Sequence, residues 1–259
     1  MTVNEVAILL EELAPIHYAQ SWDNVGLLVG SKDWRVHKVY IALDATEEVI
    51  CHAIEEKADI LITHHPLIFN SMNRIVENDY VGKRVMMLME HHIAYYAMHT
   101  NYDVCRMGQL AEKKLALTQS VILEECIEGE QDKGIGRMGM LKESMNLQTL
   151  ALIVKDAFHI SNVKTFGEIS TLLNIVAVLP GSGKDDIDLA VEKGADVFIS
   201  GDIDHHSGID AVEKGICVID AGHYGIEHIF IEDIALYLKG HTGTLEICTE
   251  PKNEPFMVW

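Results

Sequence analysis

The sequence predicts an α/β fold of two similar lobes, and three observations carry that prediction. Apolar runs of strand length alternate with stretches of helical periodicity. The order strand, turn, helix, strand, polar loop, helix, strand, polar loop occurs twice. The copies also match residue by residue: Ile54-Glu55-Glu56-Lys57-Ala58-Asp59-Ile60-Leu61-Ile62 resembles Val191-Glu192-Lys193-Gly194-Ala195-Asp196-Val197-Phe198-Ile199. Such self-similarity reads as duplication of one βαβαβ unit. The expected division is a first lobe over 1–125 and a second over 126–259, with the C-terminal helix able to pack on the first. No Ser/Gly-rich or Pro-rich linker marks a boundary, so the lobes are free to intertwine.

The elements follow in order. Residues 2–14 read as an amphipathic helix: Thr2 and Glu5 form a capping box, Val6, Leu9, Leu10 and Leu13 line one face, and Pro15 stops it. A loop with Trp22, Asp23 and Asn24 precedes strands at 27–29 and 39–43; the loop forms an Asx-type turn or the rim of a site. A helix over 47–57, a strand over 60–62, a helix over 82–91 and a strand over 94–98 complete the first copy. The second has strands at 175–179, 195–199 and 216–219, helices at 185–193 and 209–214, and a turn at Pro180-Gly181-Ser182-Gly183. Between the copies, 121–126 reads as a strand, 128–134 as a turn, and 144–159 as a helix with Ile153 and Phe158 buried.

Composition narrows the function. The 259 residues carry 40 acids against 20 bases, a net charge of -20, which repels phosphate backbones and excludes non-specific nucleic-acid binding. Cys51, Cys105, Cys126, Cys217 and Cys248 are odd in number and contain no C-x-x-C pair. They read as reduced thiols of a cytoplasmic protein. The N-terminus lacks a basic signal-peptide region, and no apolar run reaches the roughly 18 residues of a membrane span. With 14 histidines and no thiol pair, a metal site would use nitrogen and oxygen ligands.

The suspicious polar residues fall where ligands gather in a parallel sheet, beyond the carboxyl ends of strands. His64 and His65 follow one strand, Asp103 lies after the next, and His223 follows the last. Glu227 stands four residues after His223, within a helix whose apolar face includes Ile226, Ile229, Phe230 and Leu238. Adjacent histidines diverge, so each can serve a different metal. An i, i+4 His/Glu pair converges, and a carboxylate can bridge. Three histidines and two carboxylates suit two divalent ions drawn from Zn, Fe, Mn, Co or Ni, a pairing fitted to hydrolysis. The site is expected between the lobes.

Other motifs carry less. Gly134-Ile135-Gly136-Arg137-Met138-Gly139 fits G-x-G-x-x-G but opens no helix of a βαβ unit, so a glycine-rich turn is expected. Gly181-Ser182-Gly183-Lys184 fails as a Walker A loop, because position 178 is Val and position 185 is Asp. His91 and His92 end a helix and complement its dipole. His205 and His206 occupy the loop equivalent to His64 and His65. Neither a G-x-S-x-G elbow nor a Cys/His pair points to acyl-enzyme chemistry.

Taken together, Ser21-Trp22-Asp23-Asn24-Val25-Gly26, Thr63-His64-His65-Pro66, His99 to Asp103, Gly136-Arg137-Met138-Gly139, Gly181-Ser182-Gly183, Gly201-Asp202 with His206, Gly222-His223 and Glu227 carry a resemblance. The chain resembles the dinuclear-metal family of GTP cyclohydrolase I type 2 homologues, also called the Nif-three-like family. The resemblance implies the same five ligands, His64, His65, Asp103, His223 and Glu227. It also implies two similar α/β lobes and a ring-shaped homohexamer with its metal sites facing an inner cavity, in the compact form without the inserted domain.

The family's name implies opening of the guanine imidazole ring of GTP, releasing formate. A histidine would then move protons, with His99 and His206 as candidates. Substrate-binding candidates are Asn24, Arg137 and Lys184, and Arg74 is a further cation for a phosphate chain. Two functions remain: a metal-dependent hydrolase of a nucleotide or other phosphorylated or cyclic-amide substrate, or a non-catalytic metal-binding, regulatory or scaffold protein.

Overall fold

A computed structural model describes residues 1–126, 130 and 132–259; the turn expected over 128–134 falls partly outside these. The chain forms two compact units, residues 1–102 with 230–252 and residues 103–229 with 253–259. This division differs from the expected 1–125 and 126–259. Residues 103–125 join the second unit because the strand at 118–125 pairs with the one at 134–146. Residues 230–252 join the first, where Phe230 is fully buried and the last strand adds to the sheet.

The first unit opens on α1 (Val3–Leu13), whose Thr2 and Glu5 form both bonds of the capping box. Its sheet contains β1 (Gly26–Val29), β2 (Lys38–Ala42), β3 (Ile60–Thr63), β4 (Ala94–Ala97) and β11 (Glu246–Thr249), in the order β1-β4-β3-β2-β11. Strands β2, β3, β4 and β11 are parallel, and β1 is antiparallel on β4. Crossovers α2 (Glu47–Glu55) and α3 (Tyr80–Glu90) join the three central strands, with Thr46 and Asp79 as N-caps. Every residue of β3 and β4 is buried, the pattern of a sheet covered on both faces. The unit also holds α4 (Thr100–Tyr102) and most of α10 (Ile229–His241).

The second unit begins with a π-type turn, Asp103–Met107, and α5 (Gly108–Lys114). Its strands are β5 (Thr118–Glu125), β6 (Gly134–Asn146), β7 (Lys164–Phe166), β8 (Leu172–Ser182), β9 (Val197–Gly201) and β10 (Cys217–Asp220). The order is β5-β6-β8-β9-β10-β7. Strands β8, β9 and β10 are parallel, β7 is antiparallel on β10, and β6 is antiparallel on β8. The helices are α6 (Leu147–Ala157), α7 (Ile187–Glu192), α8 (His205–Glu213) and α9 (His223–Glu227). Both units therefore contain helix, antiparallel edge strand and βαβαβ in the same chain order, with the edge strand on the third parallel strand. β5 and β6 are additions to the second.

Four local expectations change. Gly134 to Gly139 is not a turn but the start of β6. A Cβ at Gly134 would lie 2.2 Å from the Glu124 carbonyl oxygen, and one at Gly139 3.0 Å from that of Thr118, so these glycines admit β5. Pro180 to Ser182 is likewise strand, with an irregular register between Val178 and Ser182 that accommodates the proline. The helix expected over 144–159 starts only after Asn146, its N-cap, and buries Leu147, Leu150, Ala151 and Val154. Phe158 is buried, but Ile153 lies off that stripe and is 36% exposed. The helix expected to carry Glu227 through Leu238 divides into α9 and α10 around His228. No helix among the described residues is long and apolar enough to cross a membrane.

The last strand is latched from its end. Glu250 accepts a 2.6 Å hydrogen bond from the Tyr40 hydroxyl and lies 3.0 Å from His52 Nδ1. The hydrogen bond to Glu250 raises the His52 pKa above 6.5 despite the opposing effect of burial. A group whose pKa is raised by folding contributes stability below its unfolded pKa and loses it as pH rises through the folded value. His52→Gln is therefore expected to lower the urea midpoint in mildly acidic buffer. The gap from wild type should close as the solution is made alkaline, as read from urea melts across that range.

Candidate metal centre

Parallel strand β3 delivers His64 and His65 from its carboxyl end, and buried groups fix both. His64 is 0% exposed, and its Nδ1 lies 2.8 Å from the Met98 carbonyl oxygen. Leaving a buried polar group unmet costs about 1–3 kcal/mol, so this contact sets the ring and directs the Nδ1 proton to the carbonyl. His65 Nδ1 lies 2.8 Å from Asp44 Oδ1, at the end of β2. The backbone beneath is clamped by Tyr95 of β4. Its buried hydroxyl accepts from Leu67 N–H at 2.8 Å, donates to the His65 carbonyl at 2.9 Å and lies 2.5 Å from the Thr63 hydroxyl.

His99 follows β4 and joins this group. One ligand-type atom from each of His64, His65 and His99 lies within 4.8 Å of the others. His99 Nδ1 is 3.0 Å from Asp23 Oδ1, while Asp23 Oδ2 accepts from the Thr100 amide at 3.0 Å and its hydroxyl at 2.5 Å. Burial raises the Asp23 pKa, but the bonds from His99 and Thr100 outweigh it and bring it down to about 2. Exposed Trp22 and Phe69 flank the His99 ring, at centroid distances of 6.0 and 6.4 Å. Asn24 is turned inward: its Nδ2 donates to the Ile68 carbonyl at 2.6 Å and ties down the loop after His65.

The second unit repeats the device. His223 opens α9 after Gly222, whose φ of +72° suits glycine. Its Nδ1 lies 2.7 Å from Asp202 Oδ2 and its Nε2 3.0 Å from Glu227 Oε2. Asp202 holds a φ of +57°, a strained position for a residue with a side chain, at the end of β9. The backbone crowds this pair. A Cβ at Gly201 would lie 2.5 Å from the His223 nitrogen, and one at Gly181, where φ is +92°, 2.5 Å from Glu227 Oε1. Glu227 is 3% exposed. Asp103 begins the π-type turn and is half-buried. Such turns cluster at functional sites.

The first unit thus gathers His64, His65 and His99, and the second pairs His223 with Glu227. The remaining candidates are placed less centrally. Arg137 Nε lies 3.1 Å from Glu112 Oε2, and Lys184 Nζ 3.7 Å from Asp204 Oδ2, so both cations already face carboxylates. His205 and His206 are not in a loop but in the first turn of α8, with Asp204 as N-cap, and both are exposed. Sequence reading missed Asp44 and the clamp from Tyr95, and it gave Asp202 no role. Asp44 and Asp202 follow strands β2 and β9, the same strand-end location that exposed the histidines.

Residues 1–255 match the model of the family Duf34/NIF3 (NGG1p interacting factor 3). A "GTP cyclohydrolase 1 type 2 homolog" from Clostridium acetobutylicum is 34% identical over 251 residues, 96% of this chain and 94% of that protein. One of the same name from Clostridium perfringens is 31% identical, over 88% of this chain and 87% of the relative. Among solved structures, a Staphylococcus aureus hypothetical protein superposes with a TM-score of 0.91 at 30% identity, covering 100% of this chain and 99% of the other. Reduced HcgD from Methanocaldococcus jannaschii gives 0.84 at 32%, covering 96% and 97%. From its first residues to its tail, the chain belongs to the Duf34/NIF3 family.

Proposed function

We propose that the chain is a divalent-metal protein of dinuclear type and acts as a hydrolase on a nucleotide or related phosphorylated or cyclic-amide substrate. His64, His65, Asp103, His223 and Glu227 would hold the metals. One observation carries this reading: the Nδ1 atoms of His64, His65, His99 and His223 each face an oxygen acceptor. In His64, His65 and His223 that preparation leaves Nε2 as the ligating atom and raises its basicity, the usual arrangement behind metal-bound imidazoles; in His99 it leaves Nε2 open to a proton. The nitrogen and oxygen donors fit Zn, Fe, Mn, Co or Ni, with the choice left open by the donor set.

Bound metals would supply Lewis acidity for water attack and for the charge that develops during hydrolysis. The chain's own residues supply the rest. Asp23, held ionised, orients His99 so that Nε2 is the nitrogen that takes up or releases a proton. His99 is favoured over His206 for this role because of that buried carboxylate. The curated relatives' name supports GTP as a substrate to test. A second reading, a non-catalytic metal-binding or scaffold protein, is favoured by the net charge of -20, which opposes anionic substrates. A cytoplasmic location is supported by five free cysteines, and a homohexamer is the proposed assembly.

Protein purified without a tag or chelator should contain about two divalent metals per chain by elemental analysis. His64→Ala and Glu227→Ala should each lose at least half of that metal with an unchanged far-ultraviolet spectrum. Unchanged metal content in both variants would overturn the site. The same sample given GTP should release formate. Two metals without formate remove the guanine ring opening and leave the metal centre standing. Light scattering should return six times the 28.9 kDa chain mass, and a monomer or dimer would overturn the hexamer.

A further inference from the structure

A cavity of about 670 Å³ lies within the first unit, and His65 and Asp44 form part of its wall. That volume is in the range of small-molecule sites. Its lining also includes Arg74, on the segment between β3 and α3, and Arg84, on α3. Two arginines lining one cavity are notable in a chain with 40 acids and 20 bases. Among the described residues neither arginine makes an ion pair.

The carboxylates nearby are committed elsewhere. Asp44 Oδ1 faces His65 Nδ1, and Asp79 Oδ1 caps α3 by accepting from Gly82 N–H at 2.8 Å. Arg84 is held over the Tyr80 ring, one helical turn away, with its guanidinium carbon 5.3 Å from the centroid. That contact limits the rotamers of Arg84 and leaves its N–H donors for a ligand. Phe69 supplies an apolar wall in the same cavity.

We propose that this cavity is the substrate's phosphate subsite, with Arg74 and Arg84 receiving the phosphate of an organic phosphate whose reacting end lies toward His65. This deepens the hydrolase reading and rests on it for the identity of the reacting end. Guanidinium forks match phosphate oxygens bidentately, and two such groups favour a dianion over a single carboxylate. The subsite differs from the one expected at Arg137 and Lys184, whose charges already face Glu112 and Asp204. It also answers the objection from net charge, because the field at a cavity is set by the groups that line it.

The test is calorimetric titration of inorganic phosphate, with acetate as the monoanionic control at equal ionic strength. It uses the full chain as purified and again after chelation, with metal content recorded each time. Arg74→Gln and Arg84→Gln should each weaken phosphate binding about tenfold or more, the loss expected for a charge-assisted hydrogen bond. Arg84→Lys should fall between wild type and Arg84→Gln. Metal content and melting temperature should stay at wild-type values. Phosphate binding to chelated protein that still depends on both arginines supports the subsite independently of the metals. A metal-loaded double variant that binds phosphate like wild type overturns the subsite while sparing the metal centre. Equal affinity for acetate and phosphate overturns it as well. Absence of both metal and phosphate binding overturns both readings.

Discussion

The candidate site rests on one recurring constraint: the Nδ1 of each of four histidines is met by a fixed oxygen. His64 uses the Met98 carbonyl, His65 uses Asp44, His99 uses Asp23 and His223 uses Asp202. Three of the four acceptors are carboxylates, which places part of the acidic excess beside these histidines. The constraint propagates outward. Asp23 stays ionised inside the protein because Thr100 adds two further donors. The His65 loop keeps its path because the Tyr95 hydroxyl is shared among Thr63, His65 and Leu67. A parallel sheet supplies the geometry, since its strands end side by side and deliver their following residues to one edge.

Much of this was legible in the sequence, and the failures share a cause. The α1 capping box, the strands leading to His64 and His223, and the repeated element order all depend on local spacing, which the sequence displays directly. The misread segments depend on neighbours distant in the chain. Gly134 to Gly139 looks like a turn until Glu124 and Thr118 are seen pressed against it. Pro180 to Ser182 reads as a loop because its pairing with β9 is irregular. Ile153 is apolar and helical but falls outside the buried stripe. The division at residue 125 failed because β5 belongs with β6, which no periodicity reveals. Asp44 and Asp202 carry no motif; only their position after a strand distinguishes them.

The two units share an order of elements, and their candidate residues look alike without being identical. In each unit an antiparallel edge strand precedes βαβαβ, and the third parallel strand leads into a short helical segment. His99 and Asp103 stand four residues apart after β4, as His223 and Glu227 do after β10. The copies diverge in the loop after the second parallel strand. There the first unit keeps His64 and His65 immediately after β3, whereas the second places Asp202 after β9 and moves its histidine pair into α8. The same order of elements thus carries a His-x-x-x-acid spacing twice, while the loop after the second parallel strand differs between the units.

The path of the chain has a consequence for how the protein is made. β2 lies beside β11 in the finished sheet, yet about two hundred residues separate them in the chain. At 5–20 residues per second a ribosome needs roughly ten to forty seconds to cover that span. Throughout that interval the nascent first unit carries an open edge at β2 and lacks Phe230 from its core. The half of the molecule synthesised first is therefore among the last to close, and chaperone attention during synthesis would fall on its exposed β2 edge.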